Sequence, residues 1–325
     1  MRKRYIHIVY ILIWLTTYSV SGQIKDTVIL GETDVTDYRI KANRTFKEHL
    51  ILTDSLSKTG RLTLAEALSQ STSIFVKTYG GNGVANLALR GTGASHTNVY
   101  WNNLDIGSPG LGQTDFSTLP IDAFDRIQLQ YGFASLSGGS GGLGGSIRLS
   151  NKPDFSGKTK LSLSQMAGSF GQYQSTLHIS AGGQRLRSQT ELYYYTSKNN
   201  FSYPDITEKG WPEKKLQNSE YDQIGGYQNF YYRLAEEKLI SIKAWYNQVD
   251  RQLPPPITGN PDHYDKLKDN SLSAIAEYQQ GNKNNHLLLN SGLVKAANIF
   301  TNGGDSISSN NRFISWQSNI RHSIS

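Results

Sequence analysis

Apolar and polar residues alternate one by one along much of the second half of the chain. In QYQSTLHISA, residues 172–181, mostly apolar side chains fall on one face and polar ones on the other. The same period of two recurs at 240–247, 272–278 and 314–320. From residue 156 onward we count about eight such segments, each near the roughly 9–11 residues with which a tilted strand crosses a bilayer. The pattern predicts an antiparallel sheet of about eight amphipathic strands.

Polar links separate these segments, and tight turns alternate with long links. The two longest links cover residues 199–220 and 251–269. Membrane barrels alternate short periplasmic turns with long external loops in this way. Antiparallel sandwiches of secreted proteins also have alternating strands. The pattern favours a membrane barrel and leaves a secreted sandwich as the alternative.

The first half of the chain has a different pattern. RLTLAEALSQ predicts a short helix, because Thr63 can cap it and Glu66 completes a capping box. Between Ser73 and Asn151, short strands are separated by glycine-rich turns. We therefore predict a mostly β protein, with a small mixed α+β domain over residues 44–155 that follows an extended arm at 23–43.

Residues 1–22 read as a secretory signal peptide. Basic residues at positions 2–4 precede an apolar core from Ile6 to Leu15, and small polar residues follow. The core is far shorter than the roughly 20 residues of a transmembrane helix, so a membrane anchor is the weaker alternative. We expect an exported protein that loses this segment.

Composition narrows the classes of function. The 19 tyrosines and 31 glycines suit aromatic girdles and tight turns. The absence of cysteine excludes disulfides, thiolate metal sites and a lipid-modified N-terminal cysteine. The formal charge of +7 becomes +4 when the three charges of the signal peptide are subtracted, which argues against nucleic acid as a partner.

Glycines 139 to 144 match the pattern G-x-G-x-x-G. A dinucleotide fingerprint requires a helix after these glycines, whereas the following GSIRLSN alternates like a strand. A flexible linker would not run directly into a regular strand. We interpret the glycines as a segment where backbone passes close to backbone, and we expect no cofactor.

Residues 87–151 resemble the plug domain of TonB-dependent outer-membrane receptors. The resemblance rests on the motifs at Leu119–Ile127 and Gly139–Leu149, and RGTGASH at Arg90–His96 is especially similar to the vitamin B12 (cobalamin) receptors of the family. It implies a location in the outer membrane of a Gram-negative bacterium and a barrel of about 22 strands. We therefore expect residues 156–325 to be an incomplete transmembrane β-barrel, the N-terminal part of a longer receptor.

The segment DTVIL resembles the TonB box of the same family. An extended apolar pentapeptide can add as a strand to the sheet of a partner. The resemblance implies that TonB, with its inner-membrane energising complex, contacts Asp26, Thr27, Val28, Ile29 and Leu30. Outer-membrane lipid and a surface lipoprotein are further expected partners.

Arginines of the plug pair with carboxylates of the barrel wall in this family. The resemblance makes Arg90 and Arg126 candidates, with Glu191 and Glu277 as partners because the alternation places both glutamates on the polar face. The alternative is that either arginine contacts a backbone carbonyl or water instead, and the sequence favours neither interpretation. Where the family has a second Arg-Gly, this chain has Tyr131 and Gly132, which weakens the analogy.

Substrate contacts in such receptors come from apical loops of the plug, which match residues 77–83 and 102–113 here. Loop residues of these types are also common as turn formers. The candidate substrate-binding residues are Tyr79, Asn82, Asn103, Ser108, Leu111 and Gln113.

The resemblance implies active uptake of a scarce, large substrate, with cobalamin or a related corrinoid first. Siderophore, haem, glycan or peptide import and an exported binding or adhesion module without transport are the alternatives. We expect no enzyme and no catalytic residues, because the adjacent Ser95 and His96 lack a nucleophile elbow. Asp115, Asp122 and Asp125 lack the spacing of a calcium loop, so we expect no metal site.

Overall fold

The structure is a computed structural model. It describes residues 48–52, 63–72, 74–78, 83–108, 112–132, 142–260, 262–282, 285–303 and 307–324. The predicted signal peptide, the arm at 23–43 and the candidate TonB contacts at 26–30 lie outside these residues.

The N-terminal part of the described chain is a mixed α+β domain. Its elements are β1 Glu48–Leu52, α1 Leu64–Ser71, β2 Phe75–Thr78, β3 Ala85–Ala88, β4 Thr97–Trp101, β5 Leu104–Asp105, β6 Arg126–Tyr131 and β7 Gly145–Ser150. Five strands form one sheet in the order β1-β6-β7-β4-β5, in which β4 and β7 run parallel and all other neighbours antiparallel. Strands β2 and β3 form a separate hairpin. The sequence pattern did not predict the short strands β1 and β5.

Helix α1 begins at the predicted capping box. The Thr63 N–H donates to a carboxylate oxygen of Glu66 at 2.9 Å, and the Glu66 N–H donates to the Thr63 hydroxyl at 3.3 Å. Leu64 and Leu68 are fully buried, so the apolar face of the helix belongs to the domain core. In the part of the chain that the structure describes, no helix is long and apolar enough to cross a membrane.

The C-terminal part is dominated by one large antiparallel sheet. Its elements are β8 Lys160–Gly168, β9 Gln172–Gly182, β10 Leu186–Ser197, β11 Ser202–Pro204, β12 Glu213–Lys215, β13 Tyr221–Ala235, β14 Lys238–Leu253, β15 Asp265–Gly281, β16 Asn285–Thr301 and β17 Ser308–Ile324. The large sheet has eight strands in the order β8-β9-β10-β13-β14-β15-β16-β17. The small hairpin β11–β12 lies in the link between β10 and β13. The predicted number of amphipathic strands is confirmed.

The two faces of the large sheet differ as the alternation predicts. In β10 the odd-numbered positions from Arg187 to Ser197 are buried, whereas Leu192 and Tyr194 are exposed. The same holds in β14, where Lys243 and Trp245 are buried and Ile242 and Tyr246 are exposed. The exposed face is therefore largely apolar, as in strands that face lipid.

Aromatic rings join the mixed domain to the buried face of the large sheet. The ring of Trp245 lies 5.5 Å from that of Trp101 and 5.4 Å from that of Phe124, measured between centroids. Trp245, Ile275 and further residues of the sheet belong to the same buried cluster as the core of the mixed domain. The two parts thus share one core.

Glycines 144 and 145 stand where two segments of backbone meet. A Cβ at Gly145 would clash with the carbonyl of Gln130 on β6, and the φ angle of Gly145 is +148°. A Cβ at Gly144 would clash with the side chain of Thr92. Strand β7, and no helix, follows these glycines. The structure agrees with the interpretation that small residues are needed here for close packing.

Candidate functional site

A buried arginine of the large sheet makes an ion pair with the mixed domain. Arg251, whose side chain is 1% exposed, pairs with Asp115 and lies 3.0 Å from the carboxylate of Asp269 on β15. It also donates to the Ser117 hydroxyl at 3.0 Å. Asp115 in turn accepts the Ala85 N–H at 2.9 Å. One guanidinium therefore links β14, β15 and a turn of the mixed domain.

The same turn, Phe116–Thr118, is held through its backbone carbonyls. The Tyr221 hydroxyl donates to the Ser117 carbonyl at 3.2 Å. The side-chain amides of Gln223 and Asn247 donate to the Thr118 carbonyl at 2.8 and 3.2 Å. These donors project from β13 and β14, so the sheet contacts the turn through its backbone carbonyls as well as through the Ser117 hydroxyl.

A second contact forms at the tight turn between β4 and β5. Asn102 and Asn103 both have positive φ angles, 45° and 68°, which fits a two-residue type I′ hairpin turn. The Lys243 ammonium donates to the Asn102 side-chain oxygen at 2.9 Å. The amide of Asn103 donates to the carboxylate of Glu277 at 3.4 Å, and Lys243 lies 3.5 Å from that carboxylate.

The buried charges of this contact compensate each other. The side chains of Lys243 and Glu277 are 4% and 2% exposed. Each would be costly alone in such surroundings, and their pairing with the asparagine turn offsets the cost. Nearby in the mixed domain, burial raises the pKa of Asp105, while the hydrogen bond from the Gly107 N–H acts in the opposite direction.

The candidate pairing residues lie at or near this interface. Glu277 and Glu191 are both buried on the face that meets the mixed domain. Glu277 contacts Lys243 and Asn103, whereas Glu191 lies 3.5 Å from His178 and from the Tyr227 hydroxyl. The Nε atom of Arg126 is buried without a hydrogen-bond partner, and the side chain of Arg90 lies outside the described part of the structure. Pairing of either arginine with these glutamates stays a prediction.

The candidate substrate residues are separated in the structure. Asn103 contacts Glu277 and also accepts from Arg148 at 3.2 Å. The Ser108 N–H donates to the Gln113 carbonyl at 3.3 Å, and the Gln113 side chain accepts from Asn86 at 3.3 Å. Tyr79, Asn82 and Leu111 lie outside the described residues. Substrate contact by these six residues stays a prediction.

Sequence reasoning missed the residues that hold the interface most firmly. Arg251, Lys243, Gln223 and Asn247 were not among the candidates. Lys243 and Asn247 occupy the polar face of the alternating segment 240–247, so the signal was present. Polar or charged residues on the inward face of a strand are the sequence signal for contacts of this kind.

The described residues show no group of three or more His, Cys, Asp or Glu side chains that could hold a metal ion. Beside the shared apolar core, the interface contains buried hydrogen bonds and two sets of paired charges. Such contacts fix one domain on another in a specific orientation. They can also be exchanged for contacts with water.

A mixed domain packed on the polar face of an amphipathic antiparallel sheet is the arrangement found in plugged membrane barrels. Residues 48–146 match the family model described as TonB-dependent Receptor Plug Domain. Residues 48–146 are thus similar to the plug domain of the TonB-dependent receptors, and the large sheet has a fold similar to part of a receptor barrel. We call the mixed domain the plug from here on.

Individual proteins are similar to this chain in sequence or in fold. The chain is 33% identical over 86 residues to the vitamin B12 transporter BtuB of Photobacterium profundum, which is 26% of this chain and 14% of the transporter. The siderophore receptor PiuA from Acinetobacter baumannii aligns over 85% of this chain and 42% of its own, with a TM-score of 0.63 and 15% identity. The ferripyoverdine receptor of the outer membrane of Pseudomonas aeruginosa aligns over 85% and 38%, with a TM-score of 0.61 and 15% identity.

The chain spans less than half of the length of these two receptors and about one seventh of the transporter. At 15% identity, the structural similarity establishes the fold alone.

Proposed function

We propose that the protein acts as a TonB-dependent receptor in the outer membrane of a Gram-negative bacterium and takes up a scarce, large substrate. The observation that carries this proposal is the plug domain at residues 48–146, seated on the polar face of eight amphipathic strands. The exposed apolar face of those strands suits lipid. The family consists of transport receptors, and the proposal includes no enzymatic step.

Cobalamin or another corrinoid is the substrate we favour. The support is the 33% identity over 86 residues to a vitamin B12 transporter, together with RGTGASH at Arg90–His96. The candidate contacts are the six loop residues given above. Substrate at these loops would alter the plug, and TonB would then pull on the arm at Asp26–Leu30.

The contacts between plug and sheet support a plug that can rearrange. Arg251, Gln223, Asn247 and Lys243 all bind it through polar atoms. Water can replace a hydrogen bond at modest cost, whereas separation of a dry apolar interface exposes its whole area. Force on the arm would therefore meet these exchangeable polar contacts as well as the apolar core that the plug shares with the sheet around Trp245.

A siderophore or another iron compound is the alternative substrate within the same family. The observation in its favour is the fold similarity to two receptors whose names refer to siderophores or ferripyoverdine. Haem or a glycan would use the same machinery.

Direct binding separates these substrates. Outer membranes that carry the protein are titrated with cyanocobalamin and, in parallel, with ferric siderophores of catecholate and hydroxamate type. We expect saturable binding of cyanocobalamin alone. Saturable binding of a ferric siderophore without cyanocobalamin would replace the corrinoid by the alternative.

Deletion of Asp26–Leu30 tests transport. We expect loss of energy-dependent uptake with unchanged substrate binding, because the segment is proposed to contact TonB and not the substrate. A deletion of five residues at 32–36 in the same arm is the matched control and should leave uptake intact. Uptake by the Asp26–Leu30 deletion variant at the level of the control would contradict the TonB contact, and absence of uptake even in the undeleted protein would favour an exported binding module without transport.

A further inference from the structure

A small cavity lies between the plug and strands β9, β10 and β13. It has room for little more than one water-sized sphere. Its lining includes a carboxylate from each side, Asp122 of the plug and Glu191 of β10. The other lining residues are Pro120, Gln174, Thr176, Tyr193, Tyr194, Tyr195 and Gln223.

The carboxylate of Glu191 is almost fully buried, and only one of its two oxygens has polar neighbours. The residue is 3% exposed. One carboxylate oxygen lies 3.5 Å from the Tyr227 hydroxyl and 3.5 Å from His178 Nδ1. The other oxygen, Oε1, is buried without a hydrogen-bond partner. A buried carboxylate oxygen without a donor is strongly unfavourable.

The side-chain oxygen of Gln174, which lines the same cavity, also lacks a hydrogen-bond donor. The Gln174 amide donates to the Thr176 hydroxyl at 3.2 Å, and its Oε1 is buried without a partner. The cavity therefore gathers acceptor atoms. Asp122 and Asp125 also lie close enough to Glu191 to repel its charge. Burial and the charges of Asp122 and Asp125 disfavour a negative charge on Glu191, and a cation bound here would compensate that charge, which a water molecule cannot do.

We propose that the cavity binds one hard cation, held by oxygen atoms of Glu191, Asp122, Gln174 and Thr176. Carboxylate, amide and hydroxyl oxygens are the ligands that such cations take. Mg²⁺ does not suit the site, because it keeps several waters for which the cavity has no room. Ca²⁺ and Na⁺ share the required chemistry. The inference does not depend on which substrate the receptor takes.

The bound cation ties the plug to the sheet. Asp122 belongs to the 3-10 turn Ile121–Ala123 of the plug, whereas Gln174 and Glu191 belong to β9 and β10. This attachment lies on strands β9 and β10, away from Arg251 and Lys243 on β14. It gives the plug a third electrostatic attachment, which depends on an exchangeable ion.

Cation titrations test the site directly. The purified protein in detergent micelles is treated with a chelator, dialysed into choline chloride, and titrated calorimetrically with CaCl₂ in one series and NaCl in another. We expect one cation per chain and a higher midpoint of thermal unfolding in the salt that binds. Glu191→Gln and Asp122→Asn should each weaken binding at least about tenfold.

Glu236→Gln is the matched control, because Glu236 is an exposed glutamate between β13 and β14. It should bind the cation like the wild type. If Glu191→Gln does not fold, cation binding by Asp122→Asn and Gln174→Leu tests the site instead. Gln174→Leu removes a neutral ligand oxygen and leaves both carboxylates in place. The proposal is overturned if neither salt binds, or if all three site variants bind with wild-type affinity.

Discussion

The side chain of Gln317 forms a two-point hydrogen bond with the backbone of Asp105. The Asp105 N–H donates to the Gln317 side-chain oxygen at 2.9 Å, and the Gln317 amide donates to the Asp105 carbonyl at 2.9 Å. Gln317 lies on β17 and Asp105 ends β5, the outermost strand of the plug sheet. A glutamine side chain thus takes the place of a neighbouring strand and covers this sheet edge.

Gln317→Leu should loosen β5 from the sheet. Two hydrogen bonds contribute about 0.5–1.5 kcal/mol each, so the expected loss of about 1–3 kcal/mol corresponds to at least about fivefold more opening. The chain has no cysteine, so Ile106→Cys provides a single reporter next to β5. Its rate of maleimide labelling should rise at least about fivefold in the variant. Asn319→Leu, two residues along the same strand, is the control and should leave the rate unchanged.

Arg251→Met should destabilise the docked plug more than any substitution of an exposed charge. It leaves Asp115 and Asp269 without their cation, and removal of one partner of a buried pair costs about 3–5 kcal/mol. The free energy of unfolding in urea measures this loss. In a double-mutant cycle with Asp115→Asn we expect a coupling energy above about 1 kcal/mol. Additive effects of the two substitutions would contradict the pairing.

Lys268→Met is the matched control for Arg251→Met. Lys268 pairs with Asp250 at 3.1 Å, but the two side chains are 43% and 41% exposed. Solvent screening limits such a pair to about 0–1 kcal/mol. A loss as large as that of Arg251→Met would show that burial is not the deciding factor.

Gly145→Ala should destabilise the plug by about 1–3 kcal/mol. The added methyl group meets the Gln130 carbonyl, which belongs to a paired strand and cannot rotate away. Gly183→Ala is the control, because a Cβ at that position meets nothing within 4 Å. The thermal unfolding midpoints of the two variants provide the measurement. Equal midpoints would contradict the close packing of β7 against β6.

Acid should open the hairpin β11–β12. Asp205 accepts hydrogen bonds from Lys214 at 2.7 Å and from the Thr207 N–H at 2.9 Å, and these lower its pKa from 3.8 to about 2. A lowered pKa stabilises the hairpin above pH 3.8, and this stability is lost as the pH falls toward 2. Pepsin cleavage between Ser202 and Lys215 should therefore accelerate more from pH 4 to pH 2 than the activity of pepsin on an unfolded peptide does.

Asp205→Asn is the control for this acid effect. The amide does not titrate, so cleavage of the variant should be fast at both pH values. A wild-type hairpin that is cleaved as fast as the variant at pH 4 would contradict the stabilising role of Asp205.

The fold was predictable to the extent that it depends on local pattern. The eight strands could be recognised because each has one apolar and one polar face, and α1 because its capping box lies within four residues. The glycines before β7 were also interpreted correctly, since a strand follows them. These features need no knowledge of distant contacts.

The contacts between plug and sheet could not be predicted from local sequence pattern. Arg251 and Asp115 are 136 residues apart, and their meeting depends on how the plug is rotated against the strands. Glu277 was placed on the buried face by alternation, but its contacts with Lys243 and Asn103 follow from that rotation. Sequence period specifies which side chains point inward, and only the packed structure specifies what they meet.

The turn Asn102–Asn103 makes separate demands on the backbone and on the side chains of its two residues. Its backbone conformation needs residues that tolerate positive φ, which glycine does as well as asparagine. Its grip on Lys243 and Glu277 needs the two side-chain amides. Glycine at both positions would keep the turn conformation but would remove these contacts with the sheet, together with the hydrogen bonds that Asn102 makes with Asn151 and Asn103 makes with Arg148 inside the plug. Attachment of the plug to the sheet and part of the plug's internal hydrogen bonding therefore depend on the same two side chains.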